Sequence, residues 1–546
     1  MERSTRTAWL AFGALLLPYA WLVNRFWFVC DDAFITFRYS RNWAQGHGPR
    51  YNLADAQPVE GYSDFLWMAI AAAVEASPLD VVTVMPAISV MCGVGVLVLV
   101  HHVLLGEARV RPVAAWGATL VLATFPPFAV WSTSGLETMP QTVLMLLTWW
   151  LLSRPGEGRG RLVLAALTGV ALALIRTEGL AWFTVLVGVA GVQRRLEGRA
   201  LRPLLPVVGV VFAAFGVYEA WRVGYYGAWV ANTAHAKVHM GPAALLRGAS
   251  YLGLYATTHL SPLLLIPAIP LALGGSRRPL AVGASLFALA VPAYAVVVSG
   301  DYMTYFRLLV PGLPWFALTL GLALDALASR RPASLRWLPL AAVLTATVGV
   351  LPALDVHLVP RRLRAALDVR EKQEGFRSEN EQWMLMDQHT RFWRERGEAI
   401  AAHAPPGSSI VAGAIGSLGY YADVHVYDRN GLVSREVAAI PWDGRLRSPG
   451  HDKTVDAAFF LDKKPTFLDA KVLYGPMLGF KIRASLLEMR AKDFSDRYYP
   501  EILPFGTMPG TRVPRVLVWL RRGETLGDVD AGWTRFKTDI KGIDRR

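Results

Sequence analysis

The feature that most constrains this chain is a succession of apolar runs, 14 to 24 residues long, that recur from the N-terminus to Leu354. They fall at about 8–28, 82–105, 113–131, 139–153, 162–175, 179–193, 203–223, 261–275, 279–298, 308–329 and 337–354. As helices rising 1.5 Å per residue, most can cross roughly 30 Å of hydrocarbon. Composition agrees, with 53% hydrophobic residues, 18% charged residues and a mean hydropathy of +0.32. That is too apolar for an ordinary soluble chain. The expected architecture is a mostly α membrane protein with about 11 transmembrane helices in residues 1–354, and a smaller α/β domain in 355–546.

Every second connection is short and basic. Arg109 and Arg111, Arg154, Arg159 and Arg161, Arg194, Arg195, Arg199 and Arg202, Arg277 and Arg278, and Arg330, Arg331 and Arg336 all lie in such loops. The positive-inside rule places them and the N-terminus in the cytoplasm, and everything after Leu354 outside. The net charge of +14 is thereby explained without nucleic acid. The first run has no small-residue cleavage site after it and is read as an uncleaved helix. "FLWMAIAAAV" (65–74) is too short to span and is read as interfacial, as is the amphipathic stretch 244–258.

This topology gathers a second set of charges at the outer helix ends: Asp31, Asp32, Glu60, Asp64, Glu137, Glu178 and Asp301, with Arg38, Arg176, Lys237 and Arg307. Ionisable groups near a bilayer are costly and are kept mainly for function. Each also has a plainer reading. Asp31 or Asp32 can cap the helix that follows, but one aspartate would serve for that. Glu137 and Glu178 stand at outer helix termini, where they can cap or pair with Arg176. Phe34, Phe37, Tyr39 and Trp43 read as an interfacial aromatic belt. His235 and Lys237 lie in the outer loop "NTAHAKV", and a lone Lys or Arg there can simply snorkel to headgroups.

No soluble-enzyme signature competes: there is no Walker loop, dinucleotide fingerprint or zinc-type spacing. Cys30 and Cys92 are the only cysteines, and Cys92 falls within a span, so no structural disulfide is expected. Beyond Leu354 a charged helical stretch leads to Pro405-Pro406-Gly407. "SSIVAGAIGSLGYYADVHVYDRNGLVS" (408–434) then reads as strand, glycine turn, short helix and strand, with strand-like runs in "DAAFFLDKKPTFLDA" and "RVLVWLRRG". The glycines of "GAIGSLGYY" are read as packing glycines rather than a phosphate loop.

The stretch "DDAFITFRYSRNWAQGHGPRYN…VEGYSDFLW", followed in order by "SGLET", "RTEG", "NTAHAKV" and "GDYMTYFRLLVP", resembles the terminal β-(1→2)-arabinofuranosyltransferases of arabinogalactan synthesis. The resemblance covers the chain to about Pro311 and, more loosely, "GAIGSLGYY". It implies a GT-C integral-membrane glycosyltransferase in the bacterial inner membrane, working on the outer face with a polyprenyl-phosphate sugar. It also implies that an acid of the first outer loop, Asp31 or Asp32, is the catalytic base. Asp31, nearer the membrane end of the loop, is the first choice.

The chemistry asks for the same parts. A carboxylate must take the acceptor's proton, and cations must meet the leaving phosphate. Lys237 and Arg307, then Arg38, are the candidates for phosphate. Glu60, Glu137, Arg176, Glu178, His235 and Asp301 complete the expected substrate-binding set. Adjacent carboxylates are also apt ligands for a divalent cation, and the metal requirement stays open. The sugar and the acceptor (glycan, glycolipid or protein) stay open too. The competing readings are a polyprenol-linked sugar flippase and a non-catalytic envelope or motility scaffold.

Overall fold

The structure, a computed structural model, describes residues 2–154, 156, 158–233, 241–370, 375–473, 487–488, 494, 496–504, 515–524 and 526. The bundle contains α1 (Glu2–Arg25), α2 (Asp31–Ala44), α3 (Phe65–Glu75), α4 (Val81–His102), α5 (Pro112–Ala123), α6 (Pro126–Thr133), α7 (Thr138–Ser153) and α8 (Arg159–Ile175). It continues through α9 (Gly179–Leu196), α10 (Leu204–Tyr226), α11 (Pro242–His259), α12 (Leu265–Leu273), α13 (Arg278–Val297), α14 (Leu313–Arg330) and α15 (Leu338–Val350). Among the described residues five helices are long and apolar enough to cross a membrane, or up to seven if each of two bent pairs is one span. The chain is a multi-pass membrane protein.

The bends have local causes. The run expected as one span at 113–131 breaks between α5 and α6 by 55°. Phe125 precedes Pro126 and is driven to an extended conformation, φ −84° and ψ 115°, because the proline ring disfavours a helical residue before it. The second pair, 242–259 and 261–273, turns by 96° at Leu260, which sits at φ 57°. Phe65–Glu75 is a helix of 11 residues with Trp67, Met68, Ala71 and Val74 buried.

After the bundle come α16 (Arg361–Ala366), α17 (Glu379–His403), α18 (Gly416–Ala422) and α19 (Arg435–Ala438). The strands are β1 (Ser409–Ala412), β2 (His425–Asp428), β3 (Phe467–Leu473), β4 (Tyr498–Pro504) and β5 (Arg515–Arg521), in the sheet order β2-β1-β3-β5-β4. β1 runs parallel to β2 and β3, while β5 is antiparallel to β3 and β4. The strand–helix–strand reading of 408–434 thus appears as β1, α18 and β2. "DAAFFLDKK" departs from expectation: 457–463 is a 3-10 helix, because Asp456 accepts a hydrogen bond from the Ala458 N–H (3.1 Å) and starts a turn.

α2 joins the two regions, and its 3.6-residue period gives it two working faces. Asp31, Phe34, Arg38 and Arg41 fall on one face and meet α18. Asp32, Ile35 and Thr36 line a cavity beside the helix. The guanidinium of Arg38 is buried and donates to the carbonyl oxygens of Tyr51 (2.9 Å), Gly419 (2.6 Å) and Val424 (2.7 Å). Phe34 packs on Tyr420 and Tyr421 at ring distances of 5.6 Å. Phe34, Phe37 and Tyr39 are therefore core residues, not a lipid-facing belt.

The α18 glycines make this contact possible. A Cβ on Gly416 would lie 1.8 Å from the Asp31 carbonyl oxygen, and one on Gly419 would lie 1.9 Å from the Tyr51 hydroxyl. "GAIGSLGYY" is a packing surface whose partner is α2.

Arg38→Ala strips donors from three carbonyl oxygens, at a cost of about 1–3 kcal/mol for each left buried and unpaired. The variant, and Arg38→Lys with its single ammonium, is expected to lower the unfolding temperature by several degrees. A large change in substrate affinity at unchanged thermal stability would instead mark Arg38 as a ligand-binding residue.

Candidate active site

At the end of the bundle that faces the sheet lies a cavity of about 230 Å³. Five carboxyl side chains line it (Asp32, Asp64, Glu137, Glu178 and Asp301), with two guanidiniums, Arg176 and Arg307. They come from the starts of α2, α3, α7 and α9 and from the segment before α14, which are the helix-end motifs singled out in the sequence.

Glu137 and Glu178 occupy the N-cap positions of α7 and α9, yet neither side chain caps its helix. Both turn to Arg176, which pairs with Glu137 and donates through Nε to Glu178 Oε1 at 2.5 Å. Arg307 donates through Nε to Asp301 Oδ2 at 2.9 Å, while its two terminal nitrogens have no hydrogen-bond or ion-pair partner among the described residues. The Arg307 Cζ lies 5.8 Å from the Trp131 ring centroid, within range of a cation–π contact. The backbone leading to it is unusual. Tyr305 (φ 50°, ψ 31°) and Phe306 (φ 53°, ψ 52°) are consecutive left-handed residues with side chains. Such conformations cost on the order of 1–3 kcal/mol each and persist where their surroundings hold them.

The two aspartates that open α2 diverge. Asp31 Oδ1 accepts from the Ser417 N–H (2.7 Å) and Oδ2 from the Gly416 N–H (3.2 Å), so it caps α18 rather than its own helix. Burial pushes its carboxyl up to about 7, against the pull of those two amides. The first choice for the base therefore faces away from the cavity. Asp32 lines the cavity and has no hydrogen-bond or ion-pair partner among the described residues.

The other expected residues divide as follows. Arg38 is committed to carbonyl oxygens, and Glu60 accepts from Arg222 at 2.5 Å outside this cavity. His235 and Lys237 lie outside the described residues; the segment that carries them follows directly on Thr233, which lines the cavity. Among the described residues no group of three or more His, Cys, Asp or Glu side chains is placed to hold a metal ion.

Sequence reasoning underrated Asp64. It accepts from Thr36 Oγ1 (3.0 Å) and is only 3% exposed. Burial, then the charge of Glu137, pushes its carboxyl up to about 8. The "GYSDF" motif displayed the residue, but only the fold sets Thr36 and Glu137 beside it.

A second cavity, of about 330 Å³, shares Tyr62, Ser63, Arg176 and Thr177 with the first and runs between α8 and α10. Ala173, Leu174, Phe215 and Tyr218 give it an apolar wall.

A raised carboxyl pKa in the folded state adds stability below the unfolded value of about 3.9 and loses it as pH rises toward the folded value. Asp64 thus contributes a fall in stability between about pH 5 and 8, of up to about 1.4 kcal/mol per pH unit. Asp64→Asn is expected to show a shallower loss of melting temperature over that window. Equal slopes for variant and wild type would mean that Asp64 is ionised in the fold.

The profile of a domain family of unknown function, DUF8728, matches residues 381–502. The terminal β-(1→2)-arabinofuranosyltransferase of Mycobacterium tuberculosis is 26% identical over 244 residues, covering 42% of this chain and 38% of the relative. That of Corynebacterium glutamicum is 25% identical over 228 residues, covering 38% and 33%. The chain thus matches well under half the length of these curated relatives. Among solved structures, ArnT from Cupriavidus metallidurans bound to undecaprenyl phosphate superposes with a TM-score of 0.53 at 16% identity, covering 94% of this chain and 98% of that one. By fold the chain is a GT-C-like multi-pass membrane protein with a small C-terminal sheet, and by sequence it is similar to the terminal β-(1→2)-arabinofuranosyltransferases.

Proposed function

We propose that this chain is an inverting GT-C glycosyltransferase. It moves a sugar from a polyprenyl-phosphate donor to a cell-envelope glycan, glycolipid or protein on the outer face of the bacterial inner membrane. The observation that carries the proposal is that one cavity at the helix ends is lined by both Asp32 and Arg307, and that neither the Asp32 carboxylate nor the terminal nitrogens of Arg307 have a partner among the described residues. Carriers tend to bind near the bilayer midplane, at broken helices, so this placement favours a transferase over a flippase.

In the proposed step the acceptor oxygen attacks the anomeric carbon while its proton passes to Asp32. The bond from that carbon to the phosphate oxygen breaks on the opposite face, and the electron pair leaves with the lipid phosphate. A single displacement inverts the configuration. Arg307 meets the charge that develops on the phosphate, and its planar fork suits two phosphate oxygens. Lys237, outside the described residues, is proposed from the sequence alone as a second cation for the phosphate. Asp64, protonated, can donate a hydrogen bond to a sugar oxygen.

The apolar cavity between α8 and α10 offers a path for the polyprenyl chain; ArnT's complex with undecaprenyl phosphate supports a lipid-phosphate ligand for this fold. Arabinofuranose is the first sugar to test, given the names of the relatives. Asp31 and Asp32 do not converge on one point, so no step is routed through a divalent cation.

Purified protein supplied with a panel of polyprenyl-phosphate sugars is expected to transfer one of them and release lipid phosphate. Asp32→Asn should bind that donor and lose ~10²–10⁴-fold in single-turnover rate, the usual loss for a general base. Near-wild-type transfer by Asp32→Asn would sink this assignment.

Orientation has its own check. Asp462 and Ser276 are both exposed, Asp462 in the sheet region and Ser276 at the end of α13 away from the cavity. Asp462→Cys should react with an impermeant thiol reagent from outside and Ser276→Cys should not. The reverse pattern would place the cavity in the cytoplasm.

A further inference from the structure

The turn before Arg307 is held from two sides by residues far apart in sequence. On one side stands Glu379, the first residue of α17 and only 2% exposed. Its Oε2 accepts from the Tyr305 N–H at 2.7 Å, and its carbonyl oxygen accepts from the Thr304 hydroxyl at 2.5 Å. Its Oε1 accepts from Arg370 at 3.1 Å, and Arg370 is itself paired with Asp368 at 2.8 Å. On the other side, Trp131 of α6 is fully buried. Its Nε1–H is shared between the carbonyl oxygens of Thr304 and Tyr305, each at 3.1 Å. The same indole lies beside the Arg307 guanidinium.

Left to themselves, Tyr305 and Phe306 would return to right-handed or extended backbone, which residues with a Cβ favour. That change would swing the next Cα–Cβ bond and carry Arg307 away from the cavity. The Tyr305 N–H and the Thr304 and Tyr305 carbonyls are buried and need partners, and the left-handed turn is the arrangement in which Glu379 and Trp131 supply them. An unfavoured turn beside a ligand-binding side chain is the kind of site where such restraint serves function.

We propose that Glu379 and Trp131 are positioning residues for Arg307: they clamp the turn 304–306 and so fix where its two terminal guanidinium nitrogens meet a phosphate. This rests on the assignment of Arg307 to the lipid phosphate. It adds that α17, from the C-terminal region, sets the affinity of a site built in the bundle.

The test uses the full-length protein in detergent with undecaprenyl phosphate, carrying no sugar, as the probe. Dissociation constants and melting temperatures are measured for wild type, Arg307→Gln, Glu379→Gln, Trp131→Phe and Ser378→Ala. Glu379→Gln keeps the shape but cannot accept from both Arg370 and Tyr305, and Trp131→Phe keeps the ring without its N–H. Both are expected to weaken binding, by about tenfold for Glu379→Gln, the scale of one charge-assisted hydrogen bond.

Ser378→Ala removes the hydroxyl that caps α17 from the Glu381 N–H and does not touch the turn. It should lower the melting temperature and leave the dissociation constant unchanged, which separates positioning from general stability. Wild-type affinity in Glu379→Gln and Trp131→Phe, with loss in Arg307→Gln, overturns the clamp and leaves the assignment of Arg307 standing. Wild-type affinity in Arg307→Gln overturns that assignment and the clamp's role with it. If Glu379→Gln does not fold, Trp131→Phe decides: unchanged affinity there is a refutation.

Discussion

The buried guanidinium of Arg38, donating to three carbonyl oxygens, is the contact on which the site depends. Only arginine offers several donors in a rigid fork, so one side chain can join α2 to its own loop at Tyr51, to the middle of α18 at Gly419 and to Val424 just beyond it. Once Arg38 fixes the rotation of α2, the two aspartates at its start have set directions, because neighbours on a helix point about 100° apart. Asp31 reaches the amides of Gly416 and Ser417, and Asp32 reaches the cavity. The pair divides its labour by geometry alone. The same carboxyl chemistry yields a cap at one position and, at the next, an acid with no partner among the described residues.

Committed charges also define what remains free. Arg176 is matched by Glu137 and Glu178, and Asp301 holds one edge of Arg307. Burial and the charge of Glu137 push the Asp64 carboxyl upward. These contacts anchor the wall of the cavity in a region too dry to leave several bare charges. They leave one carboxylate and the far edge of one guanidinium without hydrogen-bond or ion-pair partners among the described residues, as a displacement with an acid–base partner and an anionic leaving group requires.

Much of this was legible in the sequence because it is local. The apolar character of the helices and the order of the "SGLET", "RTEG" and "GDYMTYFR" motifs follow from residues read in series. The strand–helix–strand unit at 409–428 announced itself through "GAIGSLGYY" and its flanks. What escaped depends on partners outside the local stretch, some of them hundreds of residues away. No periodicity tells Asp31 from Asp32, since the amides that claim Asp31 belong to Gly416 and Ser417. Phe34 and Tyr39 look like interfacial aromatics until Tyr420 and Tyr421 cover Phe34 and Val59 accepts the Tyr39 hydroxyl. The break at Pro126-Pro127 was local and readable, but the apolar run around it hid the signal.

Three contacts make the C-terminal region part of the site rather than an appendage. α18 orients α2, α17 holds the turn before Arg307, and a strap with Pro449 and Gly450 forms cavity wall. The strap is tied down by a buried ion pair, in which Arg247 of α11 donates to both oxygens of Asp452 at 2.9 and 2.8 Å. Buried pairs of this kind add little net stability over apolar packing, yet losing one partner is costly, because the other charge is left stranded. The bundle therefore carries Arg38 and Arg247 in positions that suit it only when the C-terminal region is docked. A site completed in this way is assembled where the two regions meet, and a bundle with the right helices but no partner would hold its charges in the wrong places.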